Sequence, residues 1–173
     1  MYDKLCVKAR SMPFWCVSNP LADPFGGPVQ PKIDSLEIAQ LIADAKKAGL
    51  IEMTSWHDDD LVPWDPENPE DDLDPKSETY AKLVAIRKIL RKAGVKANAS
   101  ICSLHGHPMF KEGGLCNPDP KIRALAAKKV ERTLRIGTFL GANHYVYWVA
   151  RDGFDHSFRH GYAVPPPSKR EAR

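Results

Sequence analysis

Cysteine is scarce in this chain. There are four among 173 residues, Cys6, Cys16, Cys102 and Cys116, and none forms a Cys-x-x-Cys pair. Zinc sites show paired ligands, and small stapled secreted scaffolds are denser in cysteine, so free thiols in a reducing, cytoplasmic compartment are expected. Long apolar runs are absent, and the opening Met1-Tyr2-Asp3-Lys4-Leu5 lacks the apolar stretch of a secretory leader, so no membrane partner is expected. Charge of one sign is also missing. Lys and Arg number 25 against 22 Asp and Glu, a net charge of +3, and the basic residues are spread along predicted helices. That distribution argues against a nucleic-acid partner. No Gly-x-Gly-x-x-Gly follows the first predicted strand, which leaves a dinucleotide site without support.

What is present is an ordinary globular composition, 43% hydrophobic and 27% charged, on a chain long enough for one domain with a real core. Phe14-Trp15-Cys16-Val17 reads as a short strand ending at Ser18-Asn19-Pro20. Asp34 is an expected helix cap with Glu37 completing a capping box, and Leu36, Ala39, Ile42, Ala43 and Ala45 supply the apolar face up to Gly49. Leu50 to Trp56 is the next strand. Residues 57 to 76, rich in Asp, Glu and Pro, read as a long loop without regular structure. A second helix runs from Ser77 to Ala93 with Tyr80, Leu83, Ile86 and Leu90 on one face. Val95, Ala97, Ala99 and Ile101 then alternate as in a strand. Asp119-Pro120 opens a third helix, continued by Ile122, Leu125, Val130 and Leu134 towards Gly141. His144 to Val149 reads as a fourth strand. The proline-rich, charged end is expected to be a disordered tail over 157–173, leaving 1–156 as the folded part. Strands alternating with helices define an α/β chain with parallel pairing. Four strands and three helices suit either a small doubly wound sheet or half of an eight-stranded barrel.

The run His57-Asp58-Asp59-Asp60 follows the second predicted strand, at the edge where β/α folds place active sites. A carboxylate beside a histidine accepts the proton of one ring nitrogen and leaves the other free to exchange a proton with a substrate. One histidine with three acids also reads as a partial metal site, or as a solvated acidic loop that contains a histidine.

Trp56 followed by His57-Asp58-Asp59-Asp60-Leu61-Val62-Pro63-Trp64-Asp65 resembles the xylose isomerase family signature, with Trp where Phe or Leu is usual. Asp23-Pro24-Phe25-Gly26, His107-Pro108-Met109-Phe110-Lys111-Glu112-Gly113-Gly114 and Tyr145-Val146-Tyr147-Trp148 resemble further family segments in the same order. The resemblance implies a partial (β/α)8 TIM barrel, its first four strands, and an aldose–ketose isomerase acting on D-xylose to give D-xylulose. It implies that His57 opens the sugar ring with Asp60 orienting its imidazole. Trp15 and Trp148 then wall the substrate pocket, and Phe25 reaches into a neighbouring subunit of a homo-oligomer. The family's hydride shift uses Mg2+, or Mn2+ or Co2+, held by acids and histidines from later strands. No segment like the family's Leu-Glu-Pro-Lys-Pro occurs here, so a fragment without metal ligands is expected, inactive alone. The other reading is a truncated product serving at most as a sugar-binding or assembly module. Three positions depart from the pattern: His105 stands where a pocket Phe is common, Val149-Ala150 replaces a Gly pair, and the acidic loop is longer.

Overall fold

The computed structural model describes residues 9–18, 33–67, 73–148 and 152. Phe25 and the tail over 157–173 lie outside them, as does the boundary set at 156.

The first strand-like pairing comes earlier than the sequence suggests. Ser11 bridges Met53 in parallel, Met12 N donates to Met53 O at 3.1 Å, and Phe14 N donates to Ser55 O at 2.9 Å. The chain then turns into α1, Trp15–Ser18. The expectation of a strand at Phe14–Val17 is therefore corrected. A four-residue apolar run carries too few positions to separate a strand from a buried helical turn.

α2 spans Ser35–Lys47, with Asp34 capping it by accepting from Leu36 N, and buries Ile38, Ala39, Ile42 and Ala43. Gly49 follows at φ 73, a left-handed conformation that ends the helix without a Cβ penalty. β1 is Met53–His57. The expected long loop instead opens with one helical turn, α3, Asp58–Leu61. Three acids at a helix start suit its positive dipole end, and the third, Asp60, reaches back to the His57 backbone N–H at 2.8 Å.

α4, Glu78–Lys92, is capped by Ser77 and buries Leu83, Ile86 and Leu90. β2 is Lys96–Ile101. α5, Pro120–Leu140, begins at the Asp119 cap with proline in its first turn and ends at Gly141. Its buried face is not the one that apolar spacing suggests. Leu134 is exposed, while Lys129, Arg132 and Thr133 lie inside with Ala126, Ile136 and Leu140. β3 is His144–Val146, shorter than the expected 144–149.

β1, β2 and β3 pair in parallel in the order of the chain, with the Ser11 stretch on the other side of β1. α2 packs on α4, and Tyr80 of α4 meets Phe139 of α5 with ring centroids 5.6 Å apart. The helices thus lie side by side on one face, as right-handed crossovers between consecutive strands require. A doubly wound sheet reverses its strand order and carries helices on both faces. Sequential order with one helical layer is the arrangement of a partial β/α barrel.

The core lies between sheet and helices, where Ile38, Ile42, Trp56, Leu83, Ile86 and Ile136 are almost fully buried. Trp56 Nε1 donates to Ser100 Oγ at 3.1 Å, and Ser100 Oγ donates to Thr133 O at 3.1 Å, tying β1, β2 and α5 together. Gly137 permits this approach, because a Cβ there would sit 2.7 Å from Ser100 Cβ. Among the described residues, no helix is long and apolar enough to cross a membrane.

Candidate functional site at the strand ends

Side chains alternate along a strand, so Trp56 facing the helices puts His57 on the opposite face. His57 is also the last residue of β1. Three other rings leave their strands at the same end. Trp15 follows the Ser11 stretch, His105 lies four residues beyond β2, and Trp148 lies two beyond β3.

The four rings meet. Trp15 lies 4.6 Å from His57 between centroids, His105 lies 5.4 Å from His57, and Trp148 lies 4.6 Å from His105 and 6.4 Å from His57. Parallel strands with their chemistry at the carboxyl ends are the usual β/α site geometry.

Asp60 holds His57 twice, from the backbone N–H and from Nδ1 at 3.2 Å. Its other oxygen accepts from Ser18 Oγ at 2.8 Å, which joins α1 to α3. Both side chains of the pair are mostly buried, 16% and 13% exposed, so the contact is shielded from bulk water. Of the residues singled out in the sequence, His57, Asp60, Trp15 and Trp148 are brought together here; Phe25 lies outside the described residues.

The remaining two acids of the run face a different neighbour. Asp58 is fully buried. Its Oδ1 accepts from Ser103 N at 2.8 Å, and its Oδ2 accepts from Lys129 Nζ and from Arg132 Nη1, the latter at 2.5 Å. Lys129 also bonds Asp59 at 2.9 Å. Arg132 Nη2 donates to Val62 O and Pro63 O at 2.9 and 3.0 Å, gripping the far end of α3.

Burial works against the Asp58 charge, but the Lys129 and Arg132 cations outweigh it and hold this carboxyl below its ordinary range. Burial and the adjacent Asp58 charge push Asp59 upwards. For Lys129 burial opposes the charge, and the two carboxylates overcome it and raise the ammonium. Beside this cluster, burial and the Asp58 charge push the Cys102 thiol up to about 12.

This network escaped apolar-periodicity reasoning because a helix face is read from its hydrophobic residues. Two signals pointed to it. A run of three acids offers more charge than one histidine uses, and Lys129 and Arg132 stand one turn apart among Ala126, Thr133 and Ile136. His105 shows itself only as a departure from the family pattern, and the structure puts that polar ring inside the aromatic cluster.

The exit of β3 is anchored separately. Asp152 accepts from Gly114 N, from Cys116 N at 3.4 Å and from Tyr147 OH. The residue before Trp148 is thereby tied to the loop that leads into α5. Burial, and then the hydrogen bond to Asp152, push the Tyr147 hydroxyl upwards, so it stays a donor.

Among the described residues no group of three or more His, Cys, Asp or Glu side chains is placed to hold a metal ion. The acids of the motif are committed to His57, Ser18, Lys129 and Arg132. These residues therefore do not fit a divalent cation, and no step is assigned through one. Among the described cysteines, Cys16, Cys102 and Cys116 are all free.

Fold and site together define a parallel β/α protein of the barrel type, with a histidine–carboxylate pair among aromatic rings at the strand ends. No family model matches the chain. Over 139 residues it is 32% identical to a xylose isomerase of Thermus thermophilus, covering 80% of this chain and 33% of that protein. It is 31% identical to a xylose isomerase of Thermus caldophilus over the same shares. The chain is xylose isomerase-like, and it spans about a third of the length of these curated relatives.

Proposed function

We propose that the chain carries the ring-opening half of a xylose isomerase-like aldose–ketose isomerase site, converting D-xylose to D-xylulose in the complete enzyme. The observation that carries this reading is the His57–Asp60 contact of 3.2 Å, seated among Trp15, His105 and Trp148. A carboxylate on Nδ1 fixes the imidazole with its proton on that nitrogen and leaves Nε2 to exchange a proton with the sugar. Nε2 takes the anomeric hydroxyl proton as the C1 to ring-oxygen bond breaks, and the ring oxygen is protonated in turn. The imidazolium formed in between is stabilised by Asp60. The indoles of Trp15 and Trp148 offer flat apolar faces for the C–H surface of a pyranose and exclude water.

The hydride shift between C2 and C1 has no residue assigned to it here. We expect the isolated 173-residue chain to form no ketose from D-xylose with added Mg2+.

Ring opening is measurable without isomerisation, as the rate at which the two anomers of D-xylose interconvert in an NMR exchange experiment. The expected result is acceleration by the purified chain, lost in His57→Ala and strongly reduced in Asp60→Asn. Sugar binding without accelerated exchange would favour a sugar-binding or assembly module. No change in either exchange or the Trp15 and Trp148 indole signals would sink the sugar-site reading.

A further inference from the structure

We propose that Asp58 is a positioning residue of this site, a buried staple that sets His57 against His105. Asp58 follows His57 directly, and its Oδ1 is bonded by the backbone of Ser103, two residues before His105, at 2.8 Å. One carboxylate therefore joins the end of β1 to the segment leaving β2. Its other oxygen is held by two cations from α5, Lys129 and Arg132. Three donors from two parts of the chain leave that carboxylate no freedom to rotate.

The same cations fix the rest of the turn. Lys129 reaches Asp59, and Arg132 reaches the carbonyls of Val62 and Pro63. The segment from His57 to Pro63 is thus held from behind along its length, while His57 and His105 present their rings to one another at 5.4 Å. The bonds of Asp58 go to Ser103, Lys129 and Arg132, so it acts through its neighbours rather than on a substrate.

Energetics favour a positioning role over a stabilising one. Two carboxylates and two cations make a cluster with no net charge, and its members lose their hydration on burial. Apolar side chains of similar volume commonly serve stability as well or better. An ion cluster offers direction instead, because each donor must point at its acceptor. The inference rests on the proposed function only for its biological meaning; the geometry is testable without a sugar.

The test uses the full chain with histidine ring signals assigned by NMR. Asp58→Asn keeps the shape and removes the charge. Asp58→Asn combined with Lys129→Met removes one charge of each sign and guards against failure of the single variant to fold. The expected result, in a double variant that retains native circular dichroism, is loss of the His57–His105 cross-relaxation and a change in the chemical shifts of both rings. Leu83→Val, in the apolar core and outside the ion cluster, should lower the melting temperature and leave both ring signals in place. Unchanged ring signals in the folded double variant, or an equal change in Leu83→Val, would overturn the proposal. A chain that binds no sugar but behaves as expected in this test would reject the proposed function and keep the staple.

Discussion

Asp58 and Asp60 stand two residues apart in a single helical turn and serve opposite neighbours. Asp58 bonds the cations of α5 and the backbone of Ser103, whereas Asp60 bonds the ring of His57 and the hydroxyl of Ser18. A short acidic run therefore divides into a structural acid and a site acid, and the two respond differently to substitution.

Breaking the buried cluster should be costly. Lys129→Met leaves Asp58 and Asp59 with one cation between them, and loss of a partner from a buried pair typically costs about 3 to 5 kcal/mol. Urea denaturation should show a loss of at least about 3 kcal/mol. The charge-balanced double variant with Asp58→Asn should recover part of it. A wild-type denaturation curve for Lys129→Met would show that the cluster is not closed to water.

Asp60→Ala should act locally. It removes the bond to the His57 backbone N–H at 2.8 Å, a capping contact whose loss costs roughly 1 kcal/mol. It also frees the ring at Nδ1. Melting should fall modestly, while the His57 ring signals broaden or shift with Trp56 packing unchanged.

Acid should loosen the fold through Asp58. Its folded-state pKa lies below the ordinary value of 3.8, held there by Lys129 and Arg132 against the effect of burial. Its stabilising contribution is thus complete above pH 3.8 and is lost as pH falls through the lower folded value. Asp59, shifted the other way, opposes this in sign. Melting temperature measured against pH should drop steeply below 3.8, and Asp58→Asn should flatten that limb relative to its own plateau. An identical limb in the variant would assign acid sensitivity to other carboxylates.

Thiol reactivity separates two cysteines. Cys16 is exposed and Cys102 is buried, with its thiol pushed up to about 12 by burial and the Asp58 charge. Thiolate is the reactive form, so an alkylating reagent at pH 8 should modify Cys16 quickly and spare Cys102 until the chain unfolds. The raised thiol also favours the fold below pH 9.0, and that contribution is lost as pH rises towards about 12. Rapid labelling of Cys102 in the native chain would mean that the cluster around Asp58 opens readily.

Gly137→Ala tests the contact of α5 with β2. The new Cβ would meet Ser100 Cβ at 2.7 Å. Overpacking of this kind costs about 1 to 3 kcal/mol, against a gain of about 1 kcal/mol in helix propensity. A net loss should appear in the melt, together with a change in the Trp56 indole signal, since Trp56 Nε1 donates to Ser100 Oγ.

Much of the fold was legible where local chemistry and burial agree. Asp34 and Asp119 announce their helices as caps, and Gly49 and Gly141 end them with positive φ. Phe14–Val17 misled because four apolar residues fit a helical turn as well as a strand. The turn at Asp58–Leu61 was hidden by its composition: three acids read as solvent-facing, but two of them are neutralised by cations seventy or more residues away. Buried charge is a long-range property, so the inward face of α5 could not be read from α5. At the site, the run of acids beside His57 made a histidine–carboxylate contact legible, while the choice of Asp60 among the three came from the family resemblance. The meeting of Trp15, His105 and Trp148 depends on strand order, which periodicity alone does not fix.

The double duty of the turn at Asp58–Leu61 bears on how such sequences are sorted. Asp58 and Leu61 are buried parts of the core, and Asp59 helps to neutralise Lys129. Folding alone therefore gives reasons to keep these letters of the signature. Replacing Asp58 or Asp59 would therefore disturb the packing of the turn together with the site, whereas replacing His57 leaves the bonds of Asp58 to Lys129 and Arg132 in place.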